Sequence, residues 1–227
     1  MSCPTPVGPD VSSPGTTLLA EPPLAAPGAI VRDALLVDVH PVTADRLDDV
    51  AELFLTNSAT RGCWCMWFIN PAKEVRAGWR DGSNRHSFEA LARTADPPLG
   101  LLAYQGDRPI GWLATGPRSR YPRAIGPRAT ILRGRNATED DDVWLLPCFF
   151  VRVGHRRTGV TSALIAAAVE QARVHGAAAV EGFPIADAYP KSQDDYVGKQ
   201  RRFAECGFTC VAEPSARRVV MRRSLDT

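Results

Sequence analysis

The chain has 227 residues, 44% of them hydrophobic, and its 27 Lys and Arg set against 25 Asp and Glu leave a net charge of +2. That balance gives no electrostatic footprint for nucleic acid, no run of about eighteen apolar residues is present to span a bilayer, and the first residues carry neither the charged region nor the apolar run of a signal peptide. Six cysteines (Cys3, Cys63, Cys65, Cys148, Cys206 and Cys210) lack the spacing of a secreted disulfide framework, so the expectation is a reduced, cytoplasmic protein.

Residues 1–32 are rich in Pro, Gly, Ser, Thr and Ala and have no periodic apolar face, so they read as a disordered or draped leader. Residues 33–227 read as one domain. Ala34 to His40 alternates as a first strand does, and Thr43 can cap a helix reaching Asn57, with Leu47, Val50, Leu53 and Phe54 on one face. Next comes Arg61-Gly-Cys-Trp-Cys-Met-Trp-Phe68. Its Cys-x-Cys pair supplies two thiols where a zinc site needs four ligands, and the four histidines are scattered, so no metal is expected. Two readings of the run stay open: a packed loop of core Trp and Cys, or an aromatic wall in which Trp64, Cys65 and Trp67 contact substrate.

Asn84 starts a further helix that Pro97-Pro98 stops. Leu99 to Tyr104 and Pro109 to Thr115 are strands joined by a hairpin turn at Gln105 to Arg108. Pro117 to Asp142 is long for a hairpin connection. Its arginines are followed by Glu139-Asp140-Asp141-Asp142, so it either binds charged ligands or pairs with itself.

Val143 to Val151 is an apolar strand in which Pro147 marks a bulge, an edge or a kink. Arg152 to Thr158 is a basic turn. A helix starts near Gly159, with Val160, Leu164, Ala168 and Ala172 on one stripe and Ile165 and Val169 beside it. Gly176 suits its left-handed end. A helix N-terminus offers unpaired N–H groups and partial positive charge, and Gly159 leaves room for close approach. Arg156, Arg157, Thr158, Gly159, Val160 and Thr161 are therefore a candidate pyrophosphate cradle. Ile185 to Asp195 reads as a loop, Tyr196 to Glu205 as a short helix, and Cys210 to Glu213 and Arg217 to Arg222 as closing strands.

The run Val151-x-x-x-x-Arg156-x-x-Gly159-x-Thr161 resembles the acetyl-CoA motif of the GNAT superfamily of N-acetyltransferases. It departs from the usual pattern at Thr161, where a smaller residue is common. Phe203-Ala-Glu-Cys-Gly207-Phe208 resembles the segment that closes that superfamily's cofactor site. The resemblance spans about residues 35–223. It implies a mixed α/β fold with a mostly antiparallel sheet, flanked by helices, whose fourth and fifth strands splay to admit the pantetheine arm. Backbone groups of Phe150, Val151 and Val153 would pair with that arm, and the Val151 N–H would polarise the thioester carbonyl.

The implied activity is direct acetyl transfer from acetyl-CoA, as co-substrate, to a primary amine of an unidentified small molecule or protein. Many relatives carry an acidic Tyr four residues before the Gly of Gly-Phe, and Phe203 stands there. Tyr196, two helical turns earlier and on the same face, is the candidate acid, and Cys148 is the only ionisable side chain on the strand. The missing Tyr keeps open a non-catalytic acyl-CoA-binding regulator. No nucleic-acid or membrane partner is expected, and a homodimer stays open.

Overall fold

The computed structural model describes residues 37–189 and 195–225; the expected leader lies outside them. In chain order, β1 (Asp38–Pro41) is followed by α1 (Leu47–Phe54), α2 (Ser58–Cys63), α3 (Ala72–Asp81) and α4 (Ser83–Ala92). The meander β2 (Gly100–Gln105), β3 (Arg108–Pro117) and β4 (Val143–Val151) comes next, with the short α5 (Pro122–Ile125) inside its second connection. The chain then runs through α6 (Val160–Val174), β5 (Ala179–Gly182), α7 (Gln200–Glu205), β6 (Thr209–Ser215) and β7 (Arg218–Ser224). The strands form one sheet in the order β1-β2-β3-β4-β5-β7-β6. All pairs are antiparallel except β4–β5, so the expected mixed, mostly antiparallel sheet is present.

Period-two alternation splits the core into layers. Leu101 and Ala103 of β2 join the α6 stripe of Val160, Leu164, Ile165, Ala168, Val169 and Ala172. Leu102 and Tyr104 face the other way, onto α1 and Phe88 of α4. Gly111 of β3 lets α6 come close: a Cβ there would lie 2.7 Å from Val160 Cγ1. Each fully buried Leu or Val on the stripe contributes about 1.5–3 kcal/mol.

Pro147 sits at a bulge. Ala114 pairs with Cys148 but Gly116 pairs with Leu145, so Leu146 and Pro147 together oppose Thr115. One extra residue reverses the alternation. Trp144 and Leu146 face the α6 layer before the bulge and Phe149 does so after it, which turns Cys148 and Phe150 toward the α1 layer. The proline has no N–H to lose from the ladder.

β5 pairs with β4 only from Val143↔Ala179 to Leu145↔Glu181. Beyond Leu145, β4 keeps β3 on one side and is open on the other, which is the splay. The long connection folds back to the root of this gap. Arg118 is fully buried; its Nη1 lies 3.3 Å from Glu181 Oε2 and its Nη2 3.4 Å from Glu139 Oε2. Its Nε is 3.2 Å from Asp140 Oδ1, close enough for an ion pair though not aligned for a hydrogen bond. Arg222 of β7 donates to Glu181 (2.9 Å) and Glu139 (3.0 Å). Arg135 donates to both oxygens of Asp140. Arg118, Arg135, Glu139 and Asp140 of this segment are thus paired with one another and with Glu181 and Arg222 of the sheet.

Two expectations fail. The chain after α1 makes two additional helices, α2 and α3, because Asn57 caps the first (Ala59 N–H to Oδ1, 2.8 Å) and Gly82, at φ 77°, separates the second from α4. The helix expected from Tyr196 begins only at Gln200.

Candidate functional site

The open edge of β4 and the N-terminus of α6 form one wall of a cleft of about 730 Å³. Arg152 N–H donates to Ile110 O in β3 (2.9 Å), so strand alternation turns the N–H and C=O of Val151 away from β3, into the gap. Arg156 Nε lies 3.4 Å from Val151 O. The turn is folded by its own groups: Thr158 Oγ1 donates to His155 O (2.6 Å) and His155 N–H to Arg152 O (3.0 Å). Arg157 has φ 66° and Gly159 φ 94°. A Cβ at Gly159 would meet nothing within 4 Å, so the space before the helix is open. The first bond of α6 is Ala163 N–H to Gly159 O, which leaves the N–H groups of Val160, Thr161 and Ser162 without an intrahelical partner.

Of the sequence candidates, Phe150, Val151, Arg156, Arg157, Gly159, Val160, Thr161 and Tyr196 line this cleft. Thr158 acts within the turn instead, and Val153 lies past the end of β4 with its side chain 75% exposed.

Tyr196 lines the cleft from a 3-10 turn, Asp195–Val197, and not from a helix shared with Phe203. Gly198, at φ 79°, separates that turn from α7. The Tyr196 ring stacks on Phe150, with centroids 6.5 Å apart and planes at 22°, and its hydroxyl donates to Asn57 Oδ1 (3.2 Å). Burial, with Cys148 beside it, raises the phenol above its ordinary pKa. Phe203 is a core residue, edge-to-face with Phe149 and Phe208.

The Cys-Trp run divides. Trp64 is 2% exposed and packs edge-to-face on Phe54, with the Arg85 guanidinium over its ring. Trp64 (φ 48°) and Cys65 (φ 52°) are both left-handed. That kink turns Cys65 inward, where its Sγ lies 3.2 Å from Cys148 Sγ and accepts from Trp112 Nε1 (3.0 Å). The contact with Cys148 and burial hold the Cys65 thiol well above its usual pKa, and burial pushes Cys63 up to about 11. Trp64 and Cys65 are therefore core, not an acceptor wall. Trp67 is 39% exposed, with Arg123 stacked on it at 4.1 Å. Among the described residues no group of three or more His, Cys, Asp or Glu could hold a metal ion, and no helix is long and apolar enough to cross a membrane.

Sequence reasoning missed Asn57, His155, Ser162, Lys199, Arg201 and Arg202, all of which line the cleft. Asn-Ser after an apolar face is a cap signal, hidden because the first helix was carried through Asn57. The basic run at Lys199 to Arg202 carries no pattern of its own. Arg201 and Arg202 both pair with Glu205, and together with Lys199, Arg156 and Arg157 they leave an excess of positive charge along the cleft, suited to a polyanion.

The profile of the Acetyltransferase (GNAT) family matches residues 62–197. No curated protein matches the chain. Among solved structures it is similar to PaiA N-acetyltransferase from Thermoplasma acidophilum in complex with coenzyme A, at 12% identity over 83% of this chain and 99% of that one, with a TM-score of 0.49. It is also similar to the GNAT domain of S. lividans PAT (18% identity, 82% and 89% covered, TM-score 0.48). A third likeness is to the loading GNATL domain of CurA from Lyngbya majuscula (11%, 83% and 97%, TM-score 0.49).

Proposed function

Because the chain belongs to the acetyltransferase (GNAT) family, we propose that it moves the acetyl group of acetyl-CoA directly to a primary amine, using the cleft along the open edge of β4. The observation that carries this reading is the junction of three features in one cleft: an unpaired strand edge, a helix N-terminus with Arg156, Arg157 and Gly159, and Tyr196 stacked on Phe150 of that strand. The helix N-terminus and arginines suit the pyrophosphate. Arg201 and Arg202, which share Glu205 as an ion-pair partner, also line the cleft. Val151 offers its backbone to the pantetheine arm in the manner of an added strand, whereas the N–H and C=O of Phe150, one residue earlier, face β3 and are not free to pair with the arm.

In the reaction the amine nitrogen attacks the thioester carbon, the C–N bond forms, the C–S bond breaks, and the sulfur leaves as a thiolate that takes a proton. The chain's part is first to align the two reactants. Val151 N–H, aimed into the gap, is the donor for the carbonyl oxygen. Tyr196 supplies the proton to sulfur; a phenol is protonated at neutral pH, and burial raises this one above its ordinary value. Cys148 is packed against Cys65 and is left as a structural thiol. His155 lines the cleft, and the amine gives its proton to that imidazole or to water.

The test is calorimetric titration of acetyl-CoA into the intact chain and into an Arg156→Ala, Gly159→Trp variant, followed by free-thiol release with a panel of primary amines. Binding that is lost in the variant, with thiol released by at least one amine, is expected. Equal binding in both would refute the cradle. Binding with no release by any amine would identify a non-catalytic acyl-CoA binder.

A further inference from the structure

Tyr196 does not stand alone in the cleft: Asn57 lines it too. We propose that Asn57 is its positioning residue, holding the phenolic hydrogen at rest on Oδ1 and releasing it to the leaving sulfur. The inference rests on Tyr196 as the acid of the reaction above.

The direction of the bond follows from the structure. Ala59 N–H donates to Asn57 Oδ1 at 2.8 Å, so that atom is the amide oxygen and can only accept from Tyr196 OH, 3.2 Å away. Asn57 is itself held fast. Its backbone carbonyl takes Arg61 N–H (2.9 Å), and the turn is anchored by buried Thr60, whose hydroxyl donates to Phe54 O (2.7 Å). The Tyr196 ring is fixed on its other axis by the stack on Phe150 of β4. Among the described residues, the other titratable groups that act on the phenol are Cys148, Cys65 and Arg156, and none of these is hydrogen-bonded to it. So α2, absent from the sequence reading, sets the orientation of the acid through its cap residue.

The chemistry favours a neutral acceptor here. A hydrogen bond to a charged acceptor is roughly twice as strong as one to a neutral amide oxygen. The hydroxyl therefore moves from Asn57 to the sulfur only once negative charge has developed there. A carboxylate at position 57 would compete with the thiolate for the same proton.

The experiment compares Asn57→Asp, Asn57→Ser and Tyr196→Phe, singly and in combination. Asp and Ser both cap helices about as well as Asn, so folding stability is expected to hold in both. Thiol release from acetyl-CoA with a saturating small primary amine is measured across pH. Asn57→Asp is expected to lower kcat roughly tenfold. Asn57→Ser, too short to reach the hydroxyl, is expected to lower it by a similar factor or more. In both, KM for acetyl-CoA stays within about twofold, and neither change lowers kcat further in the Tyr196→Phe background.

A readout independent of turnover is the titration of Tyr196 by NMR of ring-labelled tyrosine, assigned with Tyr196→Phe. Asn57→Asp should move it to higher pH than wild type, because the added negative charge disfavours phenolate. A wild-type kcat and an unmoved titration in Asn57→Asp would overturn the proposal, as would equal losses in the Tyr196→Phe background. If Tyr196→Phe alone leaves kcat unchanged at every pH, the acid reading beneath the proposal falls instead.

Discussion

Replacing Arg118 by Met tests whether the charged connection is structural. The guanidinium is fully buried and lies 3.2–3.4 Å from three carboxylates, those of Glu139, Asp140 and Glu181. Breaking a buried ion pair from one side costs about 3–5 kcal/mol, because an uncompensated charge stays behind. Here each carboxylate keeps one arginine: Glu181 and Glu139 keep Arg222, at 2.9 and 3.0 Å, and Asp140 keeps Arg135, at 2.9 Å. The loss should therefore lie near the lower limit, at about 3 kcal/mol. Adding Glu181→Gln restores the local charge balance and should recover about 1 kcal/mol or more, since the two sites touch. Urea unfolding at neutral pH, followed by tryptophan fluorescence, measures both. A loss below about 1 kcal/mol for Arg118→Met, or no recovery in the double variant, would refute the reasoning and return these arginines to the pool of ligand-binding candidates. Glu181 faces Leu145 at the last paired rung before the gap, so the single variant should also weaken acetyl-CoA binding.

Gly111→Ala should cost about 1–3 kcal/mol through overpacking, because its Cβ would lie 2.7 Å from Val160 Cγ1 and 3.2 Å from Leu164 Cδ1; a thermal melt with an unchanged midpoint would count against this packing. The folded-state pKa of Cys63 is raised to about 11. Its contribution to stability is therefore complete below the unfolded thiol value of about 8.5 and is lost as pH rises from there to about 11. In the folded chain the same thiol should react with iodoacetamide far more slowly than a free cysteine at pH 8, where only ~0.1% is thiolate, and fast labelling would contradict its burial. Burial raises Tyr196, so the alkaline limb of kcat should lie above the ordinary tyrosine value of about 10; a limb below it would exclude Tyr196 as the acid.

Much of the fold was legible because it rests on strong local signals. The apolar run Val143 to Val151 is β4, the turn at Gly106 and Asp107 joins β2 to β3, and the stripe from Val160 to Ala172 is the buried face of α6. Two kinds of information were hidden. Helices α2 and α3 have weak or misleading patterns: α2 has six residues and begins at a cap read as the end of α1, while α3 carries its apolar contact on Val75 with Trp79 left exposed. The αL kink at Trp64 and Cys65 has no glycine to announce it, and it decides which side of the loop faces the core. Charge partners were equally hidden, since Arg118 finds Glu181 across 63 residues.

The site depends most on one residue whose presence was visible and whose effect was not. Pro147 marked an irregularity in β4, but its consequence depends on the register with β3. There two residues face Thr115 and the alternation reverses. Without that offset Phe149 would lie on the α1 side and Phe150 against α6. With it, Phe150 turns to stack on Tyr196 and Cys148 turns to meet Cys65, while Phe149 backs onto Phe203. The position taken by Phe203 is thereby core, and Tyr196, the acid proposed above, comes from the turn before α7. The departure at Phe203 and the kink at Pro147 are thus two sides of one arrangement: the bulge provides the ring on which a tyrosine outside the helix can rest. A period-two pattern read along β4 alone cannot give this, because a bulge shifts parity only relative to a partner strand.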